Sequence, residues 1–182
     1  MIEKYKLMNI VVEELQENEI IPFHNIFAKI LKEGFPGYTP KIVDYFLSKI
    51  YTQNAFYLWL RDGWKTLLVA KKKNGAKEDI IGFAVIDQPY GGVSFCRWLG
   101  VLKNYRRKGI GRRLIEEWID RAKKTHCHKL EVASQLQAKE FYVNCGLNLE
   151  GERQLSYFGI NQFIFGKVLG KPDEKMMIQI DN

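Results

Sequence analysis

The stretch "WLGVLKNYRRKGIGRRLIEEW" (Trp98–Trp118) decides how this chain is read. It begins as a strand-like run and passes through Gly109 and Gly111, flanked by Arg106, Arg107, Lys108, Arg112 and Arg113. It then becomes a helix with Leu114, Ile115, Trp118, Ile119 and Ala122 on one face. A strand that enters a helix through a glycine turn makes an anion site. The first helical N–H groups have no intrahelical acceptor, and the helix dipole adds partial positive charge. Glycine lets the backbone approach a ligand without a Cβ in the way, and arginine can grip a phosphate with two parallel hydrogen bonds. The plain alternative is an ordinary helix start with solvated basic residues, so the rest of the chain has to decide.

The bulk properties bound the answer. A length of 182 residues suits one domain with a real core, expected over residues 1–170, with 171–182 as a C-terminal tail. A hydrophobic content of 46% with 13% aromatics is globular. No apolar run has the length of a membrane span, and "MIEKYKLMNI" lacks the apolar stretch of a secretory signal, so a soluble cytoplasmic protein is expected, with no membrane partner. Cys96, Cys127 and Cys145 are odd in number and form no CxxC, which argues against a disulfide framework. In "HCH" (His126–His128) adjacent side chains point apart, so no metal site is expected. The formal charge of +7 would suit nucleic acid, an acidic membrane surface or an anionic small ligand. Part of it sits in "KKKNGAK" (Lys71–Lys77), which reads as a charged hairpin turn around Asn74-Gly75.

Outward from the glycine turn, no repeat or low-complexity linker interrupts the chain. "MNIVVEEL" (Met8–Leu15) reads as an opening strand. A helix follows, with Pro22 in its first turn and Ile26, Phe27, Ile30 and Leu31 in register; a second carries Ile42, Val43, Phe46, Leu47 and Ile50. "EGFPGYTP" (Glu33–Pro40) between them is a loop, and "AFYLWLRDG" (Ala55–Gly63) is ambiguous between helix end and strand. Runs 66–72, 79–87 and 92–101 read as an antiparallel meander. After the basic helix come a strand at "KLEVAS" (Lys129–Ser134), a short helix at "AKEFYVNCG" (Ala138–Gly146), and one or two closing strands. The order is β-α-α-β-β-β-α-β-α-β-β, an α/β (α+β) chain with a strand–helix–strand unit inside a mixed sheet.

Three phosphate-binding schemes compete for the turn. A P-loop needs a Gly-Lys-Ser/Thr run that this chain lacks. A Rossmann turn needs a third glycine where Leu114 stands; Glu131 does fall twenty residues beyond Gly111, but a meander precedes the turn instead of alternating βαβ units. In the third scheme, Arg106-x-x-Gly109-x-Gly111 follows "WLGV", and a helix, a strand and "QLQAKEFYVNCGL" come after it. This resembles the GNAT acetyltransferase superfamily, whose signature is Gln/Arg-x-x-Gly-x-Gly/Ala with a downstream Asn-x-x-Ala-x-x-Phe-Tyr-x-x-x-Gly-Phe. Ala138, Phe141, Tyr142 and Gly146 match that second part, while Gln135 replaces the asparagine and Leu147 the phenylalanine. The match spans about Gly92 to Gly146.

The resemblance implies a mixed, mostly antiparallel sheet of six or seven strands with a V-shaped splay, flanked by about four helices. It implies an N-acetyltransferase that moves the acetyl group of acetyl-CoA to a primary amine by direct attack in a ternary complex. The anion at the turn would be the coenzyme A pyrophosphate, cradled by Arg106, Arg107, Lys108, Gly109, Ile110, Gly111 and Arg112. Leu99, Gly100 and Val101 would pair with the pantetheine amides, and Gln135, Ala138 and Phe141 would line the cofactor. Lys139 reads as a solvated lysine. Tyr142 matches the family's general acid, against a plain reading as a core tyrosine. For the base, Glu131 stands in a "LEV" run, with its spacing to Tyr142 one residue short of the family pattern, and a water chain is the alternative.

Peptide, lysine, polyamine and aminoglycoside amines all fit as acceptor, with Tyr38, Tyr157, Phe158, Glu150 and Glu152 as candidate contacts. An exposed final strand paired with a second copy would give a homodimer. The competing classes are a non-catalytic acyl-CoA-binding or regulatory module and, after it, a basic nucleic-acid-binding protein. The latter lacks any recognised module or basic–aromatic interleaving.

Overall fold

The computed structural model describes residues 9–75 and 77–178. The proposed opening strand therefore loses Met8, the hairpin turn Ala76 and the tail its last four residues to the regions outside the description, as does most of the "MIEKYKLMNI" segment read for a leader. Seven strands form one mixed sheet, in the order β1-β2-β3-β4-β5-β7-β6. They are β1 (Ile10–Glu14), β2 (Lys65–Asn74), β3 (Lys77–Asp87), β4 (Val93–Val101), β5 (Lys129–Ser134), β6 (Asn148–Arg153) and β7 (Gln162–Val168). The helices are α1 (Ile20–Gly34), α2 (Pro40–Tyr45), α3 (Gln53–Arg61), α4 (Ile110–Lys124), α5 (Lys139–Asn144) and α6 (Glu174–Met177). The ambiguous run 55–63 is thus helical as far as Arg61 and turns at Asp62 and Gly63. Thr52 Oγ1 accepts from the Ala55 N–H at 3.1 Å and caps α3, as Thr39 Oγ1 caps α2 by accepting from Ile42. With α3 and the single-turn α6 the helices exceed the four expected, and both closing strands form. The chain divides into two compact units, residues 1–85 with 98–114, and residues 86–97 with 115–182.

The first unit is built on aromatic packing. Ile20, Phe23, Phe27, Ile30 and Leu31 of α1 are buried at helical spacing. Around them Phe23 meets Phe56 edge-on at 4.9 Å, and Tyr51 meets Trp98 edge-on at 5.3 Å, the offset geometry that aromatic quadrupoles favour. α2 runs into a π-helical turn, Phe46–Ile50, which places Phe46 in the same core. β1 pairs antiparallel with β2, from Ile10 opposite Lys72 to Glu14 opposite Leu68. Beside this edge the buried Lys71 ammonium contacts Glu13 at 2.7 Å and Glu19 at 2.6 Å. Burial works against that charge, yet the two carboxylates outweigh it and hold the Lys71 pKa above the ordinary lysine value. α1 lies close on the end of β4, where a Cβ on Gly100 would run into Ile30 Cγ2.

In the second unit the first half of β4 pairs in parallel with β5, Val93 with Lys129 through Cys96 with Val132. β5 pairs antiparallel with β7 along its whole length, and β6 with β7 through an irregularity between Leu149 and Gly151. Trp118 of α4 donates from Nε1 to the buried Ser94 Oγ at 2.8 Å, pinning that helix to β4. Gly146, at φ +78°, ends α5 in the left-handed conformation that glycine adopts without strain.

Gly100→Ala should overpack the contact with Ile30 and lower stability by about 1–3 kcal/mol. A urea unfolding midpoint equal to that of the parent would show that α1 can move away without loss.

Candidate functional site

In the first unit, β4 leads through a single helical turn, Lys103–Tyr105, into the glycine segment. Arg107 (φ +62°) and Gly109 (φ +79°) both take left-handed conformations, which swings the chain into α4. The Arg113 N–H makes an intrahelical bond to Gly109 O at 3.1 Å. The amides of Ile110 and Gly111 open the helix, where a first turn offers no intrahelical carbonyl. Ile110 is buried and anchors the helix start. A Cβ on Gly82 would crowd Gly100 O at 3.0 Å and Val101 Cγ2 at 3.2 Å, and would meet Ile110 Cγ2 at 3.4 Å, an ordinary contact.

The five cations of this segment divide by task. Arg106 Nε donates to Val101 O at 3.0 Å, and its guanidinium lies where a Cβ on Gly34 would be, at the C-terminal end of α1. A cation there also suits the negative end of the helix dipole. Arg113 donates to Ile10 O at 2.7 Å. These two brace the fold. The Lys108 ammonium stands 5.3 Å over the Tyr105 ring, and Arg107 and Arg112 are exposed. Before the turn, Leu99 and Val101 are half-buried and Gly100 is buried.

In the second unit Tyr142 is buried on α5, stacked on Phe165 at 5.5 Å and edge-on to Phe141 at 5.0 Å. Burial, with smaller contributions from the Cys96 and Cys145 thiols, pushes its pKa well above the ordinary tyrosine value. The phenol is therefore a proton donor, not a phenolate, at neutral pH. Lys139, half-buried, stands with its ammonium 5.2 Å over the Phe163 ring.

Strand alternation separates the two residues read as acid and base. Phe165 pairs with Val132 and Gly166 with Glu131. Directly paired residues share a face and neighbours along a strand do not. Tyr142, stacked on Phe165, therefore lies on the Val132 face of β5, and Glu131 points from the other. Gln135 follows the strand, its Oε1 accepting from Gln137 Nε2 at 2.8 Å, and Ala138 and Phe141 are half-buried. Ser134, which sequence reading passed over, is buried, and its Oγ has no hydrogen-bond partner among the described residues.

The acceptor candidates are scattered. Tyr38 packs in the aromatic core, 5.1 Å from Phe46 and 6.0 Å from Trp98. Glu150 is held by Lys129 at 2.6 Å and lies over Gly166. Glu152, Tyr157 and Phe158 are exposed. Among the described residues no group of three or more His, Cys, Asp or Glu is placed to hold a metal, "HCH" included. No helix among them is long and apolar enough to cross a membrane.

Comparison with known proteins places this arrangement. The sequence model of the acetyltransferase (GNAT) family matches residues 27–147, most of the chain. The chain belongs to the GNAT acetyltransferase family, and its coarse activity is acyl transfer from coenzyme A. Solved structures with the same fold include the PaiA N-acetyltransferase of Thermoplasma acidophilum in complex with coenzyme A. It is 17% identical with a TM-score of 0.73, covering 89% of this chain and 100% of its own. The ribosomal-protein-S5-alanine acetyltransferase of Vibrio fischeri is 15% identical with a TM-score of 0.71, covering 91% and 96%. A GNAT-family acetyltransferase of Streptococcus pneumoniae is 20% identical with a TM-score of 0.71, covering 88% and 99%. No curated protein matched the chain.

Because Arg106 braces the turn through Val101 O, Arg106→Ala should cost stability as well as ligand affinity, by about 0.5–1.5 kcal/mol for one lost hydrogen bond. An unchanged thermal midpoint in the unliganded protein would show that the brace contributes nothing.

Proposed function

We propose that the protein transfers the acetyl group of acetyl-CoA to a primary amine by direct attack in a ternary complex. The observation that carries this is the turn opening α4, where left-handed Arg107 and Gly109 lead into the first turn of a helix, whose amides have no intrahelical acceptor. Such a donor set fits a pyrophosphate. The coenzyme A in the Thermoplasma structure supports the same ligand class. The amides of Gly109, Ile110, Gly111 and Arg112 hold the pyrophosphate, with the side chains of Arg107, Lys108 and Arg112 adding charge. Arg106 sets the turn. Leu99, Gly100 and Val101 pair with the pantetheine amides, because the register of β4 with β5 ends at Cys96. Gln135, Ala138 and Phe141 line the cosubstrate.

Acetyl-CoA supplies a thioester open to attack by a neutral amine. The N–H near Val101 donates to the oxyanion that forms at its carbonyl. Tyr142 gives its proton to the leaving thiolate, and Glu131 takes the amine proton directly or through water. The two groups need not touch, since they serve opposite ends of the same displacement. Acceptor choice falls to the loop between β6 and β7, where Glu152, Tyr157 and Phe158 are exposed. Residues 1–170 act as one acetyltransferase domain, with 171–182 as its tail, in the cytoplasm.

Calorimetric titration tests the ligand. The protein should bind acetyl-CoA and desacetyl CoA with micromolar affinity, on the order of −8 kcal/mol, and should not bind NAD. Absence of CoA binding would sink the acetyltransferase reading.

Tyr142→Phe should lower turnover by roughly 10²-fold or more, the usual loss on removing a general acid, and leave the affinity for CoA nearly unchanged. Since burial raises the phenol pKa, protonation is complete below the ordinary tyrosine range and is lost only as pH rises beyond it. The parent enzyme should accordingly show no loss of turnover on the alkaline side until pH exceeds that range. An unchanged turnover number for the phenylalanine variant would remove Tyr142 from the mechanism.

A further inference from the structure

Glu131 makes no ion pair or side-chain hydrogen bond among the described residues. Two cations of the second unit stand near it, and each is held by a different carboxylate. Lys129 lies two residues back on β5, on the same face and about 7 Å away along the backbone. Its ammonium turns instead to Glu150, at 2.6 Å. The Arg97 guanidinium lies 4.8 Å over the ring of Phe95, the β4 residue paired with Glu131. Its Nε donates to Asp87 Oδ2 at 3.0 Å. The hold on Lys129 is built into the backbone. Leu149 pairs with Phe165 and Gly151 with Ile164, so Glu150 is the extra residue of a bulge in β6. Its carboxylate lies where a Cβ on Gly166 would be, and Gly166 is the β7 residue paired with Glu131. Any side chain at position 166 would push Glu150 aside.

A carboxylate paired with an ammonium is held in its charged form and takes a proton less readily. A base flanked by a lysine and an arginine therefore works only if those cations are engaged elsewhere. The geometry points to Glu150 as a positioning residue for the transfer reaction: it draws the Lys129 ammonium away from Glu131 and leaves that carboxylate open to the acceptor amine. Asp87 holds Arg97 in the same sense. The proton that Glu131 takes is the one the amine nitrogen sheds as it bonds to the thioester carbon. Glu150 acts on this step through Lys129 and Glu131, without touching the acceptor. The assignment rests on the acetyl-transfer reading given above and on Glu131 as its base.

Turnover is read as thiol release from acetyl-CoA, with whichever of a peptide with a free N-terminus, lysine, spermidine and kanamycin the parent acetylates. Glu150→Gln should lower it about 10-fold at neutral pH, a part of the 10²- to 10⁴-fold that a general base supplies. The KM for acetyl-CoA should not move. Because the released ammonium favours the charged carboxylate, the rise of turnover on the acid side should begin at lower pH than in the parent. Lys129→Met alone should keep the parent turnover, and Lys129→Met added to Glu150→Gln should restore most of what was lost. A merely structural role for Glu150 predicts instead a double variant no better than the single one. That result, a fully active Glu150→Gln, or loss of turnover in Lys129→Met alone would each overturn the assignment. Full activity of Glu131→Gln would overturn it at the base and leave acetyl transfer standing. A parent that acetylates none of the four amines is a separate result, which removes the amine-transfer reading and this assignment with it.

Discussion

β4 pairs with β5 over four residues and then continues for five more. Backbone amides and carbonyls must find partners, and a strand edge without a neighbouring strand is a template for whatever can supply the missing ladder. That limit on pairing orders the rest of the proposed chemistry. An amide-bearing ligand can continue the ladder along Leu99–Val101 through backbone groups alone, so the side chains there are free to serve the core. Gly100 is small because Ile30 presses on it, not because a ligand does. The same stop leaves Ala133 and Ser134 as an extension of β5, where one buried hydroxyl lacks a partner.

Charge follows a similar economy. The excess of basic residues suggested several anionic partners, yet many of the cations are committed within the chain. Lys71 is held by Glu13 and Glu19, Arg97 by Asp87, Arg106 by Val101 O and Arg113 by Ile10 O. At the turn Arg106, Arg107, Lys108 and Arg112 are all exposed around the helix start, with Arg106 also tied to Val101 O. Backbone donors carry no desolvation cost of their own beyond what the helix start already bears, and they are fixed in direction.

Most of the fold was legible because period and punctuation agree. The α1 and α4 stripes, β5 at its observed bounds, and Gly146 as a stop all follow from local pattern. The run 55–63 was not legible, since a short apolar stretch fits a helix or a buried strand alike, and what settles it is the Thr52 cap and the burial of Phe56. Within the candidate site, the glycine turn could be read from spacing, while Tyr142 was singled out only by the family resemblance. The direction of a side chain could not be read that way. Arg106 folds back because a carbonyl five residues earlier and the end of α1 lie within its reach. Glu131 and Tyr142 part company because register with β7 assigns each a face, and register is a property of paired strands rather than of either one. Ser134 escaped notice for the same reason.

Backbone strain adds a last constraint. A non-glycine residue in the left-handed region costs on the order of 1 kcal/mol or more and persists only where its surroundings over-determine it. At the α4 turn the surroundings are explicit. Ile110 is buried, and Arg106 and Arg113 tie the segment on either side to Val101 and Ile10. With both flanks tied, Arg107 keeps its left-handed φ of +62° as the chain enters α4. The helix-start amides are thus held in place before any ligand arrives. Preorganised donors spend no binding energy on being assembled, so for the ligand proposed above the bracing residues would matter without ever touching it.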